Sequence, residues 1–187
     1  MPLVLLILLI VFTNTTKGQH AASIYELHSV KTDTVKALFF SDYFKKHSKV
    51  PKRIITCKNL ESISLSAPVR GIARMKGGYS RTIYLQSKLK TIPKWIAEFK
   101  NLKHLNLGGN YQLDYKKELV KLLPLDSLKT LQIDLRSCDS ELIAILCRFK
   151  NMKLLTIDFT FESESDPLLL QLKECLPKCD FDYYYKK

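Results

Sequence analysis

Few residues in this chain are of types that do chemistry, and their spacing argues against catalysis. The four histidines are His20, His28, His47 and His104. None sits in an H-E-x-x-H pair or near a nucleophile motif, so zinc proteolysis and nucleophilic attack lack their residues. The five cysteines are Cys57, Cys138, Cys147, Cys175 and Cys179. They include no C-x-x-C, which removes the common zinc and redox arrangements. Gly77-Gly78 and Gly108-Gly109 are isolated turn pairs and not a phosphate-cradling loop. A non-catalytic chain without metal or cofactor is the expectation.

What recurs is an apolar spacing. Ile92 to Leu107 reads IPKWIAEFKNLKHLNL, and Val50 to Leu65, 42 residues upstream, reads VPKRIITCKNLESISL. The triplet L-x-x-L-x-L appears at Val35/Leu38/Phe40, Leu60/Ile63/Leu65, Leu102/Leu105/Leu107, Leu128/Leu131/Ile133 and Met152/Leu155/Ile157. Degenerate copies stand at Ser80/Ile83/Leu85 and Leu176/Cys179/Phe181. Steps between middle residues are 25, 20, 22, 26, 24 and 24. All lie within the roughly 20–29 residues of one solenoid class. Residues two apart in a strand share a face, so each L-x-L pair points inward and stacks on its neighbours. A lone repeat buries little, and stability comes from adjacent copies.

These triplets, with Asn110 completing L-x-x-L-x-L-x-x-N, resemble the leucine-rich repeat family, and the chain looks like its exported bacterial members. The resemblance implies an α/β solenoid with a parallel β-sheet on its concave face. Returns after Phe40 and Leu85 carry a V/I-P-x-x-I signature and are expected to be irregular or 3-10. Later returns read as helices: 114–123 behind Asp114, 140–149 with Ser140 as cap, and 165–176 with Pro167 at its first turn. The segment 67–81 reads as a basic, irregular return. Asn110 matches the family's turn asparagine. Pro68, Lys88, Arg136 and Thr160 occupy the equivalent places, so those turns need other partners.

The expected organisation is a signal peptide over 1–18, an N-terminal cap over 19–34, the repeats over 35–182 and a short tail over 183–187. Pro2 to Phe12 is an unbroken apolar run of 11 residues. That suits a signal core and is short for a membrane span. Thr16 and Gly18 supply small residues before a cut at Gln19. A secreted, periplasmic or cell-surface location follows, and no transmembrane segment is expected in the mature chain. Secretion permits disulfides. Should a bridge form, Cys147 with Cys175, on neighbouring helices in the repeat scheme, is the favoured pair. Cys57 and Cys179 align with apolar core positions.

Function is then expected on the residues between the leucines, which face the concave surface. Tyr84 and His104 stand at its centre, with Asn106, Gln86 and Gln132 beside them. Asp134, Asp158 and Asp182 form an acidic rim. Hard oxygens on adjacent strands could suit Ca²⁺, but no loop adds a dense D-x-D, so no metal is expected. The leading expectation is a surface that binds a protein or peptide, using Tyr as a low-entropy anchor. The net charge of +12 supports a second one. Arg70, Arg74, Lys76 and Arg81 would hold an anionic glycan or membrane surface. Charge alone would admit nucleic acid, but no such partner is expected. A third reading makes the repeat an accessory of a larger complex, docked through Tyr183-Tyr184-Tyr185.

Overall fold

A computed structural model describes residues 20–185, apart from 30, 41, 68, 75–79 and 85–86. The expected signal segment lies outside the described residues.

Among the described residues, seven parallel strands form one open sheet in the order β1-β2-β3-β6-β7-β8-β9. These are β1 His20–Ser23, β2 Val35–Phe39, β3 Ser62–Ser64, β6 His104–Asn106, β7 Thr130–Asp134, β8 Leu154–Phe161 and β9 Asp180–Tyr185. The inward residues Leu38, Ile63, Leu105, Leu131, Leu155 and Phe181 pair in unbroken register across the sheet. The first five are buried, and Phe181 packs against their cluster. The sequence recurrence at 42 residues therefore links two strands that are direct neighbours, β3 and β6.

The returns form as their residues dictate. Pro51 and Pro93 lie in extended backbone at φ −69° and −65° and launch 3-10 turns over Lys52–Thr56 and Lys94–Glu98. Proline fits there because no hydrogen bond needs its missing N–H. Ile54 and Ile96, the isoleucines of the P-x-x-I signature, are fully buried. A short α1 (Tyr43–Lys46) follows β2. The rear returns are helices α2 Tyr115–Val120, α3 Ser140–Leu146 and α4 Pro167–Cys175. Asp114 caps α2 by accepting from the Lys117 N–H, and Asp166 caps α4 by accepting from the Leu168 N–H. Asp139, one residue before the expected Ser140, caps α3 through the Leu142 N–H. A carboxylate accepts that bond more strongly than a hydroxyl. Cys147 and Cys175, the favoured pair, are bridged, which ties the end of α3 to the end of α4. Cys57 and Cys179 are buried thiols, Cys57 at the place its alignment implied and Cys179 just before the last strand. No described helix is long and apolar enough to cross a membrane.

Two repeat assignments are corrected. Ser80/Ile83/Leu85 is not a repeat: β4 (Val69–Arg74) and β5 (Ser80–Tyr84) pair antiparallel as a separate two-stranded sheet. No P-x-x-I return separates Leu65 from Ser80, so nothing brings the chain back for a parallel rung. The hairpin leaves where the Ala67 N–H meets the Gly108 carbonyl and rejoins where the Lys88 N–H meets that of Phe44. The last rung is centred on Phe181 and not on Cys179, a slip of two that keeps the same face inward. The N-terminal segment contributes β1, which satisfies the edge of β2, and β9 carries the sheet into the expected tail.

Side chains brace the turns where the asparagine series is missing. Asn110 is fully buried and donates to the Leu65 and Leu107 carbonyls at 2.9 and 2.7 Å. On the opposite edge a second ladder appears. Asn59 donates to the Asp33 carbonyl, Ser127 to that of Leu102 and Asn151 to that of Asp126. Each reaches back one rung, which ties successive repeats together.

Candidate functional site

The open face of the sheet carries two polar rows. The first runs Ala37, Ser62, His104, Thr130, Leu154, Asp180, and the second Phe39, Ser64, Asn106, Gln132, Thr156, Asp182. Rungs repeat about every 4.8 Å. Most of these side chains are half-buried, with Asp180 more exposed. His104 and Thr130 are directly opposed, as are Asn106 and Gln132. Together they form a four-residue cluster over β6 and β7.

His104 has its pKa lowered below the usual 6.5, first by burial and then by the charge of Lys103, with Lys129 adding to it and Glu61 opposing. Its imidazole is therefore neutral at pH 7 and offers one donor and one acceptor. The Asn106 carboxamide oxygen accepts from the Gly108 N–H at 2.8 Å. That bond shapes the turn, which Gly109 completes at φ 75°, a conformation glycine enters without a Cβ penalty.

The structure does not bring all the expected site residues to this face. Tyr84 lies on β5 of the separate hairpin and is no neighbour of His104 in the sheet, because β3 pairs directly with β6. Gln86 and Lys76 lie outside the described residues. Arg70, Arg74 and Arg81 fall on the hairpin strands and not on an irregular return. Asp134 and Asp158 do pair across β7 and β8, but both are buried, Asp134 completely. Asp134 accepts the Gly109 N–H at 2.5 Å, so it is a turn brace. Asp182 stands opposite Thr156 and not Asp158. Burial, then the charge of Asp158, raises the Asp182 pKa. The rim does not form an exposed acidic ladder.

Two features escaped the residue-by-residue reading. At the position before the first polar row stand Lys36, Glu61, Lys103, Lys129 and Lys153, one per rung. Glu61 pairs with Lys36 at 3.2 Å and Lys103 at 2.7 Å. The signal was legible as L-K-H-L, L-K-T-L and M-K-L-L, three copies of one phrase. The second is Glu118 on α2, which is 3% exposed. It accepts from the Ile92 N–H at 2.5 Å and the Thr91 hydroxyl at 3.1 Å, and pairs with Lys121 at 2.6 Å. A lone glutamate among lysines gives no hint of burial.

Neither a protein-family model nor a curated protein matches this sequence. Solved structures do. A chain of the mouse RP105/MD-1 complex superposes with a TM-score of 0.50 at 14% identity, over 83% of this chain and 23% of that one. A leucine-rich repeat protein of Leptospira interrogans superposes with a TM-score of 0.43 at 18% identity, over 90% of this chain and 49% of that one. This chain thus spans about a quarter and about half of their lengths. The parallel rungs, the stacked L-x-L pairs, the 3-10 and helical returns and the first of these likenesses give one fold, that of a leucine-rich repeat solenoid.

Proposed function

We propose that the protein is a non-catalytic module that binds a protein partner on the open, concave-side face of its sheet. The observation that carries this reading is the half-buried cluster of His104, Thr130, Asn106 and Gln132, held in register by two paired strands. Such a surface has directional hydrogen-bonding groups on a rigid frame, and little further entropy is lost on binding. The similar mouse chain was itself solved as a complex. An exported, oxidising location is part of the proposal. The Pro2–Phe12 apolar run and the Cys147–Cys175 bridge support it. The test is affinity capture from the native source, identification of the partner, and calorimetry with His104→Ala/Gln132→Ala. A loss of about tenfold or more in affinity is expected for central interface residues. Unchanged affinity overturns the assignment of this face.

One observation favours a second reading. The sequence from Val69 to Tyr84 contains Arg70, Arg74, Lys76 and Arg81 and no carboxylate, and its three arginines fall on the hairpin strands. This reading makes the hairpin a contact for an anionic glycan or membrane surface. Retention on such a surface should fall steeply with salt and be lost in Arg70→Ala/Arg74→Ala/Arg81→Ala. Retention that is flat with ionic strength excludes it.

A further inference from the structure

The lysine row is positioned by the backbone rather than scattered. The Glu61 carbonyl accepts the N–H groups of Lys103 and His104 at 2.8 and 3.0 Å. The Lys103 carbonyl accepts those of Lys129 and Thr130 at 2.8 and 2.9 Å, and the Lys129 carbonyl those of Lys153 and Leu154 at 2.7 and 3.0 Å. The three lysines therefore follow one another rung by rung, immediately before the first polar row.

Their charge is unevenly compensated. Glu61 is shared between Lys36 and Lys103. Lys129 and Lys153 are exposed and, among the described residues, make no ion pair. Along this edge Asp126 precedes β7 and Asp180 starts β9. His104, next to this row, feels it: Lys103 and Lys129 both add to the lowering of its pKa. The field of the row thus reaches the proposed binding face.

We propose that Lys103, Lys129 and Lys153 dock an acidic, extended segment of the protein partner along the edge of the open face. This rests on the protein-binding reading above and names the chemistry its partner must carry. Lysines on successive rungs span about 10 Å across three strands. An extended peptide with acidic residues at alternate positions presents a carboxylate about every 7 Å on one side. Flexible four-carbon lysine stems absorb that difference. Beside the row, His104, Thr130, Asn106 and Gln132 offer donors and acceptors for peptide amides. Single-stranded bases stack on aromatic platforms, and at the solvent-facing positions of β6, β7 and β8 next to the row, from His104 to Thr156, the His104 imidazole is the one ring, with no Phe, Tyr or Trp.

The probe is a fluorescent oligoglutamate peptide, read by anisotropy with the full mature chain. Lys129→Ala/Lys153→Ala should weaken binding about tenfold, as two exposed charge pairs near the top of their usual strength allow. Lys52→Ala/Lys94→Ala removes the same charge from the exposed 3-10 returns and should change it less than about twofold, since charge distant from the contact is screened. Lys129→Glu/Lys153→Glu should lose oligoglutamate and gain oligolysine. All three are exposed substitutions, and matched circular dichroism and melting confirm folding. The proposal is overturned if the first variant binds like the parent or if the control loses as much. It is also overturned if a sulfated oligosaccharide or an oligonucleotide binds more tightly than the peptide through these lysines. If the lysine variants bind normally while His104→Ala/Gln132→Ala still loses the captured partner, the row fails and the face stands.

Discussion

Glu118 should be the most costly single polar residue to remove. Its carboxylate closes the gap between α2 and the start of the preceding 3-10 return. Truncation to alanine strands two groups. The Ile92 N–H loses its acceptor inside the protein, which costs about 1–3 kcal/mol. Lys121, whose side chain is 15% exposed, loses its counterion; breaking a buried pair costs about 3–5 kcal/mol. The two overlap. Lys121 also keeps the Thr91 hydroxyl and the Ile92 carbonyl at 2.8 and 3.1 Å. The net expectation is thus the lower end, about 3 kcal/mol. For a domain of this length that corresponds to a fall in Tm of roughly 6–12 °C. Glu118→Gln keeps an acceptor for Ile92 and should cost about half as much. Denaturant midpoints at constant slope, with the disulfide intact, measure the loss. Lys121→Met and the double variant Glu118→Ala/Lys121→Met complete a cycle. The double variant should be more stable than Glu118→Ala, because no charge is left buried and unpaired. A shift below about 2 °C for Glu118→Ala, or strict additivity across the cycle, would refute the reasoning.

Two further outcomes follow from the same geometry. The folded-state pKa of His104 is depressed, so as pH falls through 6.5 the unfolded chain takes up a proton that the folded chain refuses. Its contribution to stability is fully present above pH 6.5 and is lost below it, down through the folded pKa; His104→Gln should flatten that slope, and equal slopes in urea titrations would contradict it. Cys147→Ser/Cys175→Ser removes a bridge across 28 residues, for which the chain-entropy relation gives about 3–4 kcal/mol; a melting temperature insensitive to both this change and to reductant would show that the bridge does not restrain the unfolded chain.

The repeat was legible where inward apolar residues recur, because burial leaves that pattern little freedom. The 42-residue recurrence held because it matches two adjacent rungs, each with the same proline-led return. The hairpin was misread for a physical reason. Period-two alternation is common to a parallel rung and an antiparallel strand, and Ile83 satisfied the spacing by coincidence. The missing return and the serine at the leucine place were the better evidence. Burial at the strand ends was not legible, because the neighbouring turn covers Asp134 and a turn's path is not encoded in strand spacing. The site reading lost Tyr84 for the first reason and the acidic rim for the second. His104, Asn106 and Gln132 lie on the open face because the inward Leu105, Leu107, Leu131 and Ile133 beside them fix the direction of their side chains.

The lysine row shows how a solenoid turns sequence repetition into a surface. Lysine after the first leucine of a triplet is unremarkable in one copy, and counted as composition it only adds to a net charge. The parallel ladder converts three such copies into neighbours about 4.8 Å apart, where like charges repel. The fold accepts that repulsion at Lys129 and Lys153 while offsetting it at Glu61 for Lys36 and Lys103. At surface dielectric and physiological salt the repulsion is modest, so stability alone does not require its removal. An acidic partner would relieve it on binding, and the relief adds to the attraction. Affinity at this edge should therefore depend on ionic strength more strongly than at the His104–Gln132 cluster. A salt titration of parent, Lys129→Ala/Lys153→Ala and His104→Ala/Gln132→Ala separates the two. The lysine variant should lose most of the salt dependence, and the cluster variant should lose affinity with its slope unchanged.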